Sequence, residues 1–304
     1  MLYVSTNNKT DSFTAYRVLH EDKAPDGGLF APFHLPVYSP EEIEELKNES
    51  FSETVAKVLN LFFSRRVTSW DVEFSIGRYP FRMETIGQRI LVAELWHNNQ
   101  ESYDYITESL YKKLSEKNCN LIPQWVHIAM EIAVLFGVYG ELFRLGIDRA
   151  DIAMTDDILH YPVAAWYARK MGLPIDIILC GCKANSGLWE LLRRGEATAN
   201  VSEDVQRLIF ENFGVDEVAK FLEMRQNGRI YRLSDADSST LSKGLYPTVI
   251  GADRIPVVTA SIQRTCGYTA DPVTAAAYGA VQDYRAATGE NRATLLLSRQ
   301  KAKE

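Results

Sequence analysis

Two cysteines one residue apart, Cys180-Gly181-Cys182, form the chain's most suggestive local spacing. They close a short β-branched apolar run starting at Ile175, and α/β proteins place functional groups at the ends of buried strands. A zinc site built on them would need Cys180, Cys182, Cys266 and His160 to converge. No second cysteine pair completes C-x-C, so small residues at a sheet edge are the simpler reading and no metal is expected. Schiff-base chemistry would instead need a lysine in apolar surroundings that lower its pKa. Lys112, Lys113 and Lys117 read as one exposed helix with Glu108 and Glu116 nearby, and Lys243 lies in a polar loop. Lys183, directly after the cysteine pair, is the best placed of the set. No H-E-x-x-H, G-x-S-x-G, Walker A or G-x-G-x-x-G pattern occurs.

These residues sit in a chain of 304, 46% hydrophobic and 24% charged, which is long enough for a large core and two domains. The net charge of −7 gives no basic field, so neither nucleic acid nor membrane is expected as a partner. Arg65-Arg66 and Arg193-Arg194 read as solvated helix ends. Four cysteines make no disulfide framework, and no apolar signal segment opens the sequence, so a cytoplasmic protein is expected. Pro123 to Leu145 is unusually apolar, yet His127, Glu131, Glu141 and Arg144 interrupt it. It reads as a buried central helix opened by Pro123 in its first turn.

The second half alternates helices with buried strands. Val163–Met171 reads as a helix, Ile175–Cys180 as a strand, and Leu188–Arg194 as another helix. Ser202 with Glu203 should start a helix running to Phe213, where Gly214 ends it. Asp271 should cap a helix with Pro272 first; Val273, Ala276, Ala277, Ala280, Val281 and Tyr284 form its face, and Gly289 stops it. Thr294–Ser298 reads as a final strand, Ser234–Lys243 as a loop, and Phe74–Trp96 as strands joined by turns. The expected class is α/β, a mostly parallel sheet flanked by helices.

Collinear blocks then give a resemblance. Tyr3-Val4-Ser5-Thr6 with Ala24-Pro25-Asp26-Gly27-Gly28-Leu29 looks like "Y-x-S-T … A-P-D-G-G-L", and Pro40–Leu46 and Ser52–Phe63 like the two helices that follow. Glu94-Leu95-Trp96-His97 is similar to "E-L-F-H" in the segment "E-L-F-H-G-P-T-L-A-F-K-D". Ala168-Arg169-Lys170-Met171-Gly172-Leu173-Pro174 resembles "A-K-K-M-G-L-P". Arg207–Gly214 is similar to "R-L-L-F-E-L-x-G", and Gly267–Gly279 to "G-Y-x-x-D-P-H-T-A-x-A-Y-G". Together they resemble the threonine synthases, pyridoxal phosphate (PLP) enzymes of fold type II.

The resemblance implies an N-terminal domain over residues 1–100 and a truncated large domain over 101–304. It also marks what differs. Asp104 falls on the family's Schiff-base lysine, Asn98-Asn99 on its glycine-proline pair, and His97 on its histidine. Thr155-Asp156-Asp157-Ile158-Leu159-His160 stands where the family has the phosphate-binding "T-G-N-F-G-N". Against a phosphate, each close like-charge pair costs on the order of 4 kcal/mol at an effective dielectric of 20. Asn185 matches an asparagine of the family's "N-E-N-D". Between Tyr105 and Leu121, with the polar stretch Ser115–Asn120, there is too little chain for the family's small cofactor-covering domain.

The resemblance therefore implies a degenerate homologue, independent of PLP, that acts as a binding or interaction protein in amino-acid metabolism. Its alternative is a PLP-dependent lyase acting on a phosphorylated amino acid of the O-phosphohomoserine type, with a relocated lysine. A further reading has Asp104, Asp156 and Asp157 gather as an acid cluster for a cation, an amine or a metal. A small-molecule ligand is compatible with either role. The missing domain implies an uncovered apolar face beside Tyr105–Pro123, hence a homodimer or a partner subunit.

Overall fold

A helix that is apolar on every side has to be covered on every side, and residues 124–144 meet that requirement. In the computed structural model, which describes residues 1–98, 101–115, 121–198 and 201–302, this helix is buried almost throughout. Among the described residues it is the one helix long and apolar enough to cross a membrane, and 83% of its most apolar stretch lies inside the protein.

In chain order the strands are β1 (Leu2–Ser5), β2 (Ser12–Thr14), β3 (Phe30–Pro32), β4 (Arg82–Thr85), β5 (Ile90–Glu94), β6 (Ala150–Thr155), β7 (Ile175–Cys182), β8 (Glu196–Ala197), β9 (Tyr231–Arg232), β10 (Leu245–Val249) and β11 (Thr294–Ser298). The helices are α1 (Ala15–Val18), α2 (Pro40–Glu45), α3 (Phe51–Phe62), α4 (Ser69–Ile76), α5 (Tyr103–Ser115), α6 (Gln124–Arg144), α7 (His160–Lys170), α8 (Gly187–Arg194), α9 (Val205–Phe213), α10 (Val215–Gln226), α11 (Asp235–Leu241), α12 (Arg254–Cys266) and α13 (Pro272–Thr288). By compactness the chain divides into two interleaved units. One holds Met1–Arg82, Leu95–Asp148 and Ala164–Pro174; the other holds Met83–Glu94, Arg149–Val163 and Ile175–Glu304.

The first unit carries the antiparallel sheet β2-β1-β3 and is built around α6. Capping boxes start α2 at Ser39/Glu42 and α3 at Ser50/Glu53, each satisfying two otherwise orphaned amides. Both helices fall within a residue of the sequence expectation. Helix α6 takes in its neighbours closely: a Cβ at Gly140 would lie 2.8 Å from the Leu46 carbonyl oxygen, and one at Gly137 2.6 Å from the Phe51 ring. Trp125 meets Tyr3, Phe62 and Tyr167 edge-on at 5.3–5.8 Å. The buried Glu131 accepts a hydrogen bond from the Tyr103 hydroxyl on α5. Pro123, expected inside the first turn, is instead the extended N-cap residue. The Asp22 carboxylate takes over the capping role by accepting from the Gln124 amide at 2.8 Å.

The second unit carries a six-stranded sheet, β10-β7-β6-β11-β5-β4, in which the β10/β7, β7/β6, β6/β11 and β11/β5 pairs are parallel. The mostly parallel α/β class is thus as expected. The fully buried β5, β6 and β11 are mostly apolar for the same reason, with Glu94 and Asp151 as buried acidic exceptions. Helix α13 packs on the sheet, and a Cβ at Gly181 would lie 3.0 Å from the Ala276 carbonyl oxygen. The glycine of Cys-Gly-Cys therefore admits a helix backbone.

Three local readings need correction. Ser234–Lys243 contains α11: Ser234 caps it by accepting from the Asp237 amide at 3.1 Å, and Leu241 anchors it. Its exposed face made the run look like a loop. Helix α9 starts at Val205, because Ser202 closes a turn on the Asp204 amide at 3.3 Å before the helix begins. Phe74 to Ile76 belong to α4, so only β4 and β5 supply the strands expected over Phe74–Trp96. The end of the polar stretch Ser115–Asn120, with Glu116, Lys117 and Cys119, lies outside the described residues, as does Asn99.

Candidate functional site

In the second unit the carboxyl ends of β6 and β7 face a cleft of about 190 Å³, the usual place for a site on a parallel sheet. Strand β6 ends at Thr155, and residues 156–159 turn into α7. Strand β7 ends at Cys182, after which Lys183, Ala184 and Asn185 lead to Ser186, the N-cap of α8. The Asp156 amide donates to the Gly181 carbonyl at 3.4 Å, tying the first turn to the second strand.

Ser186 works in both directions. Its Oγ accepts from the Trp189 amide at 3.0 Å and donates to Asp156 Oδ2. Burial pushes the Asp156 carboxyl above its ordinary pKa, the Ser186 and Cys182 hydrogen bonds oppose the shift, and the Asp157 charge adds to it. Asp157 pairs with Lys183 at 2.5 Å. That bond and charge raise the Lys183 pKa and keep its exposed amine protonated. Asn185 lines the same cleft and is exposed.

Cys180 and Cys182 are buried, and burial pushes both thiols far above the ordinary range. Neutral thiols in that setting are poor metal ligands. Among the described residues no three His, Cys, Asp or Glu side chains gather in a metal-binding group. His160 packs edge-on against Tyr161 at 4.4 Å.

Asp104 stands in the first unit, on the first turn of α5. It lines a second cleft, of about 410 Å³, together with Thr107, Glu108, Tyr111, Lys112 and His127. Burial lowers the His127 pKa, against which the charges of Asp104 and Asp22 work. His97 stacks on Trp96 with ring centroids 4.1 Å apart. Asn98 closes the approach to α5, its Nδ2 donating to the Ser102 carbonyl at 2.7 Å. Asp104 and the pair Asp156 and Asp157 fall in different compact units.

A sequence profile described as "Threonine synthase N terminus" matches residues 2–78. Across the whole chain, three solved structures are similar. The PLP-bound threonine synthase from Brucella melitensis superposes with a TM-score of 0.83 at 17% identity, covering 99% of this chain and 89% of that one. The fold is that of the threonine synthases. The yeast threonine synthase gives 0.82 at 13% identity over 98% of this chain and 87% of its own. The Escherichia coli threonine synthase gives 0.71 at 13% identity, over 99% and 88%. No curated protein sequence matches the chain. At these identities the solved relatives establish the threonine synthase fold and leave the chemistry to this chain's own residues.

Ser186 and His127 line the two clefts and were not among the expected site residues. Ser186 directly before an apolar helical run is a recognisable N-cap signal. His127 sat inside a long apolar helix and carried no signal of its own.

Proposed function

We propose that this threonine synthase-like chain is a binding or interaction protein that does not use PLP. The observation that supports it most is the turn after β6, where Asp156 and Asp157 are engaged with Ser186 and Lys183. A phosphate cradle presents backbone and side-chain donors to an anion. Here two carboxylates line the cleft, and the hydroxyl that could donate is already committed to one of them. The resemblance places the carrier amine at Asp104, and a carboxylate forms no Schiff base. The residues present do not fit PLP.

The lyase alternative needs an unprotonated amine near the site. Lys183 is the nearest candidate, and its pairing with Asp157 works in the opposite direction. A cytoplasmic location and a partner chain belong to the same reading.

Titration of the purified chain with PLP, followed by borohydride reduction and peptide mapping, tests the proposal. The expected result is no saturable absorbance band and only scattered labelling of surface lysines. A saturable band fixed by reduction at one lysine, Lys183 for example, overturns it.

A further inference from the structure

Helix α4 is apolar on two opposite sides. Val72 and Ile76 are buried, at 0% and 2% exposure, whereas Trp70 and Phe74 are 71% and 83% exposed. Two residues correspond to about 200° of helical rotation, so each exposed ring points away from its buried neighbour. Trp70 and Phe74 are four apart and share one stripe. Gly77, at φ +87°, ends the helix and leads to Arg78 and Tyr79. Tyr79 is 77% exposed, with the Arg78 guanidinium 5.8 Å from its ring centroid. An aromatic side chain buries about 150–250 Å² when fully covered. Summed, the three rings leave on the order of 400–500 Å² of contact surface in water, within the size range of the largest apolar patch on a typical monomer, which is often functional.

The interval beside Tyr105–Pro123, the expected interaction face, is different. Ile106, Leu110, Tyr111 and Leu114 of α5 are buried, and Leu121 alone is a strongly exposed large apolar side chain among its described residues. Of the four most exposed large apolar side chains among the described residues, Trp70 and Phe74 lie on α4, Tyr79 follows it, and Leu121 stands apart.

Charge identifies the partner. Arg66 and Arg78 are exposed and make no ion pair among the described residues. The Asp71 carboxylate is taken up by Lys113 at 2.7 Å and by the Thr68 cap, which hold its pKa at about 2. Half-buried Glu73 is the other acid on the helix. Arg66 and Arg78 thus place positive charge before and after α4, on a chain whose net charge is −7.

We propose that the outward face of α4, extended by Tyr79, docks a short acidic segment of another protein. Apolar side chains of that segment lie along the Trp70–Phe74 stripe, and its carboxylates reach Arg66 and Arg78. The patch is about half of the roughly 800 Å² that a stable interface takes from each partner, which fits a short segment better than a second copy. Two-fold self-pairing would also set each copy's Arg66 and Arg78 against the same patch of its mate. Trp, Tyr and Arg are the residue types that carry most binding energy in protein interfaces.

The test uses the intact chain and a phage-displayed library of random peptides about a dozen residues long. Selected peptides are synthesised and titrated by fluorescence anisotropy. The expected winners combine Asp and Glu with large apolar residues. Joint Trp70→Ala and Phe74→Ala substitution should weaken them by about tenfold or more. Arg78→Glu, an exposed change that leaves the apolar stripe intact, should weaken them as well, most at low salt. Unfolding midpoints should match the parent chain in both variants. Winners without acidic character, or equal binding by the variants, would overturn the proposal. Two other outcomes would also overturn it by assigning the face elsewhere: stripe-dependent sedimentation with phosphatidylserine vesicles, or a dimer that the double variant dissociates.

Discussion

The Ser186 hydroxyl holds Asp156 while capping α8 through the Trp189 amide. One side chain thus fixes the helix start and offsets part of the cost of a half-buried carboxylate. Loss of an N-cap hydroxyl costs about 0.5–2 kcal/mol. Ser186→Ala should therefore lower stability by about 1 kcal/mol at pH 2.5, below the ordinary carboxyl range, where Asp156 is protonated. The loss should be larger at pH 7, because the missing hydrogen bond stabilises the charged form. Urea unfolding at the two pH values measures both numbers, and an equal loss at each would mean that Ser186 acts on the helix alone.

Asp104→Lys supplies the amine that the family resemblance places at that position, but changes nothing in the turn at Asp156 and Asp157. The expected outcome is a folded variant with no saturable PLP absorbance band and no single reducible adduct. A band recovered by this one change would show that the acidic turn tolerates a phosphate after all, and the PLP-independent reading would fail.

Legibility followed the range of the interactions. Helix α13 could be read completely because its limits are local: Asp271 accepts from the Val273 and Thr274 amides at 2.9 and 3.2 Å, and Gly289 takes the left-handed stop at φ +74°. Helix α11 was hidden because its seven residues bury little beyond Leu241, so composition spoke only for its wet side. Asp156 and Asp157 could be picked out through the family motif. Their engagement with Ser186 and Lys183 could not, since Ser186 is 30 residues from Asp156 and only the parallel pairing of β6 with β7 brings them together. The stripe on α4 was equally opaque: four apolar residues in eight give no facing until it is known that Val72 and Ile76 are the buried pair.

Asp151, on β6, gives the chain a pH dependence of its own. Its carboxyl is buried, accepts from the Ile177 amide at 3.1 Å, and has Arg292 3.8 Å away. Burial outweighs both and raises its pKa to about 6, from an ordinary value of 3.8. Because the folded form holds the proton more tightly, its stabilising contribution is full below pH 4 and is lost as pH rises through 6. A shift of about two units corresponds to roughly 3 kcal/mol at most. Asp151→Asn keeps an acceptor for the Ile177 amide and removes the charge. The variant should be more stable than the parent chain at pH 7.5, and its stability should vary less between pH 4 and 7. Chemical unfolding across that range measures the difference; parallel profiles would show that Arg292 neutralises Asp151 more fully than the burial of the carboxyl indicates.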